Sequence, residues 1–320
     1  MDNLTHSLIG AALGQAGLKR RTGLAMPALI IGANLPDVDA ACFFWLEGTE
    51  HLGFRRGITH GPPAMVLLPL ILAALLWWFD RWQAARGTRP GGRLPVSFKW
   101  LYLLSLIGTL SHPLFDWFNN YGIRFLEPFS SIWFYGDVLF IIDVWVIAML
   151  GSGVWFSLQR ERVRMPEWTQ PARVACLSVT AYVALNYAIS GIADGWGLVY
   201  DGPSETITNP VPITFWKREV LWRDDGWLDH PQRRETYGKY DYSLFDTEKD
   251  SSFDKRVPTN LADPRIAQWA KGNPQAEAFL FWSRMPVAEL HDDRIVLRDQ
   301  RFMDSPAAAT FTVTLRPSGK

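Results

Sequence analysis

Long apolar runs fill the first 200 residues and constrain the fold of this chain more than any other feature. Charged residues between the runs are few, so the first 200 residues carry 15 basic and 13 acidic side chains, whereas residues 201–320 carry 17 and 19. A helix that crosses a bilayer needs about 20 mostly apolar residues. The sequence therefore predicts a membrane-embedded helical domain over residues 1–199 and a water-soluble domain over residues 200–320.

Six segments of the first domain are candidate transmembrane helices. Four are long and apolar, at residues 62–79, 100–118, 138–158 and 174–199. Two weaker ones form a predicted hairpin at residues 4–18 and 24–46, and the second is interrupted by Asn34-Leu35-Pro36-Asp37-Val38-Asp39. A broken or re-entrant helix is tolerated where protein or water covers its open backbone. We therefore expect a mainly α-helical membrane protein with about six transmembrane helices.

The distribution of basic residues predicts the orientation. Loops 19–21, 81–99 and 160–173 carry 12 Lys and Arg, whereas loops 47–61 and 119–137 carry 3. Loops rich in Lys and Arg stay in the cytoplasm. The chain is thus predicted to be a multi-pass protein of the cell inner (plasma) membrane, with both termini and the C-terminal domain extracytoplasmic. Basic and acidic residues are equal at 32 each, which argues against a nucleic-acid partner held by bulk charge.

The C-terminal domain has a mixed α+β pattern. Residues 218–228 form two apolar-alternating pieces around Asp224-Asp225-Gly226, which is a hairpin signal. Further strands are predicted at residues 279–282, 294–298 and 310–315. A helix is predicted at residues 264–271, ended by Gly272-Asn273-Pro274.

Ionisable residues inside the apolar segments are the candidate functional residues, because an Asp at the centre of a span costs about 2.5–3.5 kcal/mol on insertion scales. In the predicted topology seven of them fall at the outer leaflet: His6, Asp37, Asp39, His60, His112, Asp116 and Asp143. Three other residues have simpler explanations. Asp194 is compatible with an interfacial position, His51 with a solvated rim, and Asp137 with the N-cap of the fifth helix.

Three imidazoles and several carboxylates at one depth suit a divalent metal, namely zinc, manganese or iron, as one ion or two. His112 and Asp116 are four residues apart and share a helix face. Pro36 weakens the helix before Asp37 and Asp39, so that both carboxylates can turn to one side. A bound metal lowers the pKa of its water toward about 7, which supplies a nucleophile without Ser or Cys.

These residues also occur in a familiar order. The set is Thr5-His6, Asn34-x-Pro36-Asp37-x-Asp39, Arg56-Gly57-x-Thr59-His60, His112-x-x-x-Asp116, Trp133 and Phe140-Ile141-Ile142-Asp143. It resembles the YdjM-like family of bacterial and archaeal inner-membrane proteins called membrane-bound metal-dependent hydrolases. Asn209-Pro210-x-Pro212 and Lys217-Arg218-Glu219-Val220 are similar to its longer members. Arg55 stands where many shorter members carry a His.

The resemblance implies a polytopic membrane protein with a divalent metal, most simply zinc, held by His6, Asp37, Asp39, His60, His112 and Asp116. The chain also resembles, more distantly, zinc-dependent phospholipase C, and this resemblance suggests a lipid, lipid-linked or phosphoester substrate. Asp143 is then a further ligand or the general base, and Arg56 a partner for a substrate oxyanion. Two alternatives are a proton- or cation-coupled transporter and a non-catalytic scaffold stabilised by its metal.

Overall fold

The computed structural model of the chain describes residues 1–197, 205–224, 236–245 and 254–317. They belong to two compact units, one built from residues 1–39 and 56–186 and the other from residues 40–55 and 187–320. The predicted domain boundary between residues 199 and 200 lies outside the described residues and stays a prediction.

The N-terminal region is mainly helical, as predicted. Its α-helices are α1 (Asn3–Gln15), α2 (Ala25–Gly32), α3 (Glu50–Phe54), α4 (Pro62–Ala85), α5 (Phe98–Trp117), α6 (Val144–Arg162) and α7 (Gln170–Gly197). Three 3-10 segments lie between them, at Leu18–Arg20, Leu35–Phe44 and Ile58–His60. Local sequence explains several starts: the Asp2 side chain caps α1 by accepting from Thr5 N, and α4 begins at Pro62.

Glycines allow α1 and α5 to approach the backbone of α2 closely. A Cβ atom added at Gly10 of α1 or at Gly108 of α5 would lie 2.6 Å from the carbonyl oxygen of Leu29 in α2. Small residues at helix contacts are typical of membrane proteins, because there the helices associate by close packing. Gly108 also precedes His112 by one turn, so this contact helps to set the position of the α5 face that carries His112 and Asp116.

The expected six transmembrane helices are not supported. By length and apolar composition, two helices of the described residues could cross a membrane, at Pro62–Ala85 and Gln170–Gly195. A third is the pair Ala25–Gly32 and Leu35–Phe44, bent by 50° at its break, where the sequence predicted an interruption. Helix α1 has only 13 residues. Helices α5 and α6 are long enough, but α5 carries Ser, Thr, His and Asp side chains, and α6 ends in Gln159-Arg160-Glu161-Arg162.

The described residues of the C-terminal half form two antiparallel sheets. The first has the order β1 (Glu205–Pro210), β2 (Lys217–Asp224), β3 (Thr236–Ser243) and β4 (Asp254–Pro258). The second has the order β5 (Pro286–Leu290), β6 (Ile295–Asp299) and β7 (Thr312–Leu315). The remaining elements are α8 (Pro264–Ala270), α9 (Pro274–Trp282) and the 3-10 segments Gln300–Phe302 and Ala308–Phe311.

Most predicted elements of this half are confirmed. Helix α8 and strands β6 and β7 lie where the sequence predicted them, and the first arm of the predicted hairpin corresponds to β2. The turn and second arm, residues 225–228, lie outside the described residues. The strand predicted at residues 279–282 is wrong, because this segment is the end of α9. Asn273 caps that helix by accepting from Gln275 N and Ala276 N, and Pro274 starts it.

Candidate metal centre

Four acidic and imidazole side chains meet inside the first unit. Each of Asp37, His60, His112 and Asp116 offers one ligand atom, and these atoms all lie within 4.8 Å of one another. The side chains are buried, with Asp37 the most accessible at 7 %. His112 and Asp116 come from one face of α5, whereas Asp37 and His60 come from the 3-10 segments Leu35–Phe44 and Ile58–His60. The structure therefore brings together four of the six predicted metal ligands.

The distances in this cluster fit one small cation. His112 Nε2 lies 3.5 Å from Asp116 Oδ2 and 3.7 Å from Asp37 Oδ1, and His60 Nε2 lies 3.7 Å from Asp116 Oδ2. Two ligands of a tetrahedral zinc, each about 2.0–2.1 Å from the ion, are about 3.3–3.4 Å apart. Three pairs of ligand atoms are thus within a few tenths of an ångström of this separation, and the mixed nitrogen and oxygen donors are of the kind that zinc, manganese or iron prefer.

The ring of His112 is oriented by a backbone carbonyl. Its Nδ1 lies 2.7 Å from the carbonyl oxygen of Ala33, which can only accept a hydrogen bond. Nδ1 therefore carries the proton, and in the neutral ring Nε2 presents a lone pair. This buried Nε2 has no hydrogen-bond partner and faces the two carboxylates. A lone pair facing carboxylate oxygens in a buried site needs a cation or a proton between them.

The ring of His60 is oriented in a similar way by side chains. Thr59 Oγ1 donates its proton to Asp39 Oδ2 over 3.1 Å, so the hydroxyl oxygen is left to accept from His60 Nδ1 at 2.9 Å. Asp39 Oδ2 is itself 3.6 Å from His60 Nδ1. These contacts aim His60 Nε2 at Asp116. Asp39, predicted as a ligand, lies on the outer side of the His60 ring in the arrangement that supports metal-binding imidazoles.

Arg56 is buried beside the cluster and makes many contacts. Its Nε lies 3.0 Å from Asp116 Oδ2, one terminal nitrogen donates to Asn119 Oδ1 and to the Gly122 carbonyl oxygen, and its backbone N–H donates to Asp39 Oδ2. The guanidinium also lies over the ring of Tyr121. Arg56 thus balances part of the carboxylate charge and holds Asp116, whereas its predicted contact with a substrate oxyanion stays a prediction.

His6 lies next to the four-residue cluster. Its ring stacks on that of His112 with centroids 3.8 Å apart, and its Nε2 is 3.3 Å from Asp116 Oδ1. The Met1 amino group contacts the same oxygen. Asp116 therefore has contacts to three imidazoles, to the Arg56 guanidinium and to the Met1 amino group, and a ligand role for His6 stays a prediction.

The structure does not place Asp143 among the four clustered residues. It is the N-cap of α6, with Oδ1 accepting from the backbone N–H groups of Trp145 and Val146 and Oδ2 accepting from Tyr182. The helix begins at Val144, so the predicted capping role of Asp137 is wrong, since that residue lies seven positions before the helix start. Asp194 accepts from Thr206 Oγ1, and His51 is buried rather than solvated, with Nδ1 against the Gly48 carbonyl oxygen.

Sequence reasoning assigned no role to three groups that shape the centre: Thr59, which it named only within a motif, Asn119 and the Ala33 carbonyl. Thr59 directly precedes the predicted ligand His60, so its position in the sequence could have indicated a supporting role. Asn119 lies two residues after the end of α5, and its closeness to Asp116 in the sequence could have indicated a role as well. The role of the Ala33 carbonyl could not be predicted, because a residue of any type at position 33 has a backbone carbonyl.

Comparisons with known proteins bear on the helical half. The family model described as YdjM inner membrane protein matches residues 1–193. An uncharacterized protein of Bacillus subtilis (strain 168), YfhP, is 26 % identical over 167 residues, which are 49 % of this chain and 47 % of that relative. The chain thus matches about half the length of this curated relative. No solved structure matches the chain at a significant level. The match over residues 1–193 covers all the clustered residues, and the chain belongs to the YdjM inner membrane protein family.

Proposed function

We propose that the chain is a membrane-embedded metal-dependent hydrolase, with zinc, manganese or iron bound by Asp37, His60, His112 and Asp116. The observation that carries this proposal is the convergence of His60 Nε2 and His112 Nε2 on Asp116 Oδ2, at 3.7 and 3.5 Å. Each ring has its Nδ1 against an oxygen atom, which leaves Nε2 for the ion. His6 stacks on the His112 ring and Asp39 lies beside His60 Nδ1, so both side chains support the four ligands from outside the cluster. A second ion would need them as ligands.

When bound, the metal supplies Lewis acidity and a water molecule that is acidic enough to react near neutral pH. The protein groups have supporting roles. Arg56 holds Asp116 and offsets its charge, while Asp39 and Thr59 keep the His60 ring turned toward the centre. Asp143 was predicted as a further ligand or the general base. Its contacts at the start of α6 account for its carboxylate, so the proposal includes no step through it.

The substrate and the orientation belong to the proposal as well. We infer that a site among membrane helices acts on a lipid or lipid-linked phosphoester, because such a substrate can keep its acyl part in the bilayer. The distribution of Lys and Arg favours an opening toward the outer leaflet, with the C-terminal domain outside the cytoplasm. The six-span arrangement is part of this proposal.

The near-complete burial of the four side chains favours a second candidate function. A metal that only stabilises the helices needs no open coordination position, whereas a catalytic metal does. The chain would then be a non-catalytic membrane scaffold. A cation-coupled transporter is the third candidate, and it predicts cation-dependent flux in vesicles and no hydrolysis.

Elemental analysis of the detergent-purified full-length protein is the first test. We expect about one equivalent of a divalent metal in the parent, or about two if a second ion binds, and loss of that metal in a His60→Ala/His112→Ala variant. The control is His291→Ala, because His291 is exposed in the second unit and should leave the metal content unchanged. A parent without stoichiometric metal after reconstitution would contradict the proposal.

Activity then separates hydrolase from scaffold. The metal-loaded parent is assayed on phospholipids and isoprenoid phosphates, beside His112→Ala. A hydrolase loses turnover in this variant while it remains folded and membrane-inserted. A scaffold shows no turnover in either protein, and the variant unfolds when its metal is lost.

A further inference from the structure

The second unit carries a cluster of exposed apolar side chains that the metal centre does not use. It forms where α3 packs on α9, a contact in which Thr49 Oγ1 donates to the Gln275 carbonyl oxygen over 2.8 Å. We call this cluster the aromatic patch, and its members are Phe43, Phe44, Trp45, Phe54, Leu280 and Phe281. Their exposed fractions run from 37 % for Leu280 to 91 % for Phe44.

The patch is continuous across two parts of the chain that are far apart in sequence. The rings of Trp45 and Phe54 meet edge to face with centroids 6.1 Å apart. Next to Phe54, a Cβ added at Gly53 would lie 3.2 Å from Ala278 Cβ and 4.0 Å from Phe281 Cδ1. The exposed end of α9 therefore adjoins the exposed end of α3.

The chain itself indicates what covers this patch. The segment Leu35–Phe44 is the second half of a candidate span, so Phe43, Phe44 and Trp45 lie where that span ends. Trp and other aromatic residues concentrate at the interface between a membrane and water. The Arg55 guanidinium lies 5.5 Å from the centroid of the Phe43 ring, which suits a cation that reaches lipid phosphates from an apolar surface.

We propose that the aromatic patch is a membrane-docking surface, through which α9 of the C-terminal half contacts the interfacial region of the lipid bilayer. Phe44 and Trp45 enter the interface because the chain leaves the membrane there. Leu280 and Phe281 enter it because α9 is packed on α3. The C-terminal half is then held against the membrane surface by its own side chains, in addition to its covalent link through α7. This inference is independent of the metal and of any hydrolase activity.

The test measures lipid contact at single labelled positions in the full-length protein. Cys42 and Cys176 are replaced by Ala and Ser, and a fluorophore is attached at Phe281→Cys, Leu280→Cys, Phe44→Cys or Asp293→Cys. Each protein is reconstituted in phosphatidylcholine vesicles that contain lipids with brominated chains, which quench only fluorophores close to them. Phe44→Cys marks the end of the candidate span. Asp293→Cys lies on the exposed β5–β6 turn of the same unit as the water-facing control.

We expect labels at positions 280 and 281 to be quenched nearly as strongly as the label at 44 and several-fold more than the label at 293. Quenching at 280 and 281 equal to that at 293 would overturn the proposal. So would a label at 44 that lipid does not quench. A label at 281 that neither lipid nor iodide in the water reaches would also overturn the proposal, because protein, such as a second copy of the chain, would then cover the patch. Two test positions guard against a single misfolded variant.

Discussion

Single residues orient the two imidazoles at the centre of the cluster, and they do so differently. A backbone carbonyl holds His112, whereas His60 depends on the Thr59 hydroxyl. We expect Thr59→Val to weaken metal affinity about 10–100-fold, because supporting contacts of this kind have effects of that size. Competition with a chelator of known affinity measures it. Thr88→Val, on an exposed loop, is the control, and equal affinities in the two variants would refute the assigned role of Thr59.

A second residue-scale prediction concerns Asp299, which is buried in the second unit. Burial alone raises the pKa of this carboxyl, but the Arg301 guanidinium at 2.9 Å and the Ser283 hydroxyl together hold the pKa below its usual value. Asp299→Ala removes the carboxylate that pairs with the buried Arg301 guanidinium, at a cost of about 3–5 kcal/mol. The exposed pair of Arg298 and Glu289 supplies the control, and Glu289→Ala should cost about 0–1 kcal/mol.

The pH dependence of this effect has a definite sign. A lowered pKa in the folded state stabilises the protein above the unfolded value of about 3.9, and this stabilisation is lost as the pH falls through the lower folded value. Hydrogen exchange of the β5–β7 amides, corrected for the intrinsic rate, measures the free energy of unfolding of this sheet. The gap in this free energy between the parent and Asp299→Ala should therefore be largest at pH 7. The gap should shrink below about pH 4. A gap that widens in acid would contradict the assignment.

At the scale of helices, the position of α5 depends on a glycine contact. A methyl group at Gly108 has no room beside the Leu29 carbonyl, so Gly108→Ala must displace α5 and with it His112, one turn further along. We expect a loss of stability of about 1–3 kcal/mol together with reduced metal content. Gly151→Ala in α6 is the matched control, because a Cβ there meets nothing within 4 Å and should leave both properties intact.

The start of α6 gives a second prediction at this scale, because it decides between two roles for Asp143. An Asn keeps the oxygen that accepts from Trp145 N and Val146 N, whereas Ala removes it. If capping is the role, Asp143→Asn retains stability and any hydrolytic activity, and Asp143→Ala loses about 0.5–2 kcal/mol. Thermal unfolding and turnover measure the two effects. Loss of turnover in Asp143→Asn with unchanged stability would instead restore the role of a general base.

For the molecule as a whole, the topology depends on whether α5 crosses the membrane. Helix α5 buries Ser105, Thr109, His112 and Asp116 on one side and exposes Ile107, Leu110 and Leu114 on the other. A helix whose polar groups face protein can cross a bilayer although its average hydropathy is modest. The proposed topology therefore counts α5 among the spans.

Labelling of intact cells with a membrane-impermeant maleimide tests this topology in the background without native cysteines. We expect Ile132→Cys and Asp293→Cys to react from outside, and Gly91→Cys to react only after permeabilisation. The side chains of Ile132 and Asp293 are exposed, and a Cβ at Gly91 meets nothing within 4 Å, so a label can reach all three positions. If only α4 and α7 cross, Ile132→Cys will behave like Gly91→Cys, and the six-span topology is wrong.

The sequence by itself included the four residues of the candidate centre among its six predicted ligands, since ionisable groups in apolar segments are costly and therefore conspicuous. It also predicted the longer helices of the first half and the strands β6 and β7, but not the short helix α3, because long apolar runs and periodicity are local signals. Asn273 and Pro274 were equally local signals for α9, but the apolar run at residues 279–282 fits a strand as well as a helix.

Only the tertiary structure decided how the polar groups divide their roles. It separates Asp37, with an oxygen near His112 Nε2, from Asp39, which supports His60 from behind, although the two are two residues apart. It also assigns Asp143 to a helix start and surrounds Arg56 with protein acceptors. The cap made by Asp143 is a local contact over two and three residues, of a kind that a sequence can indicate. The distinctions at Asp37, Asp39 and Arg56 instead depend on contacts between residues that are about 20 to 80 positions apart, such as Arg56 with Asn119, and no local pattern encodes them.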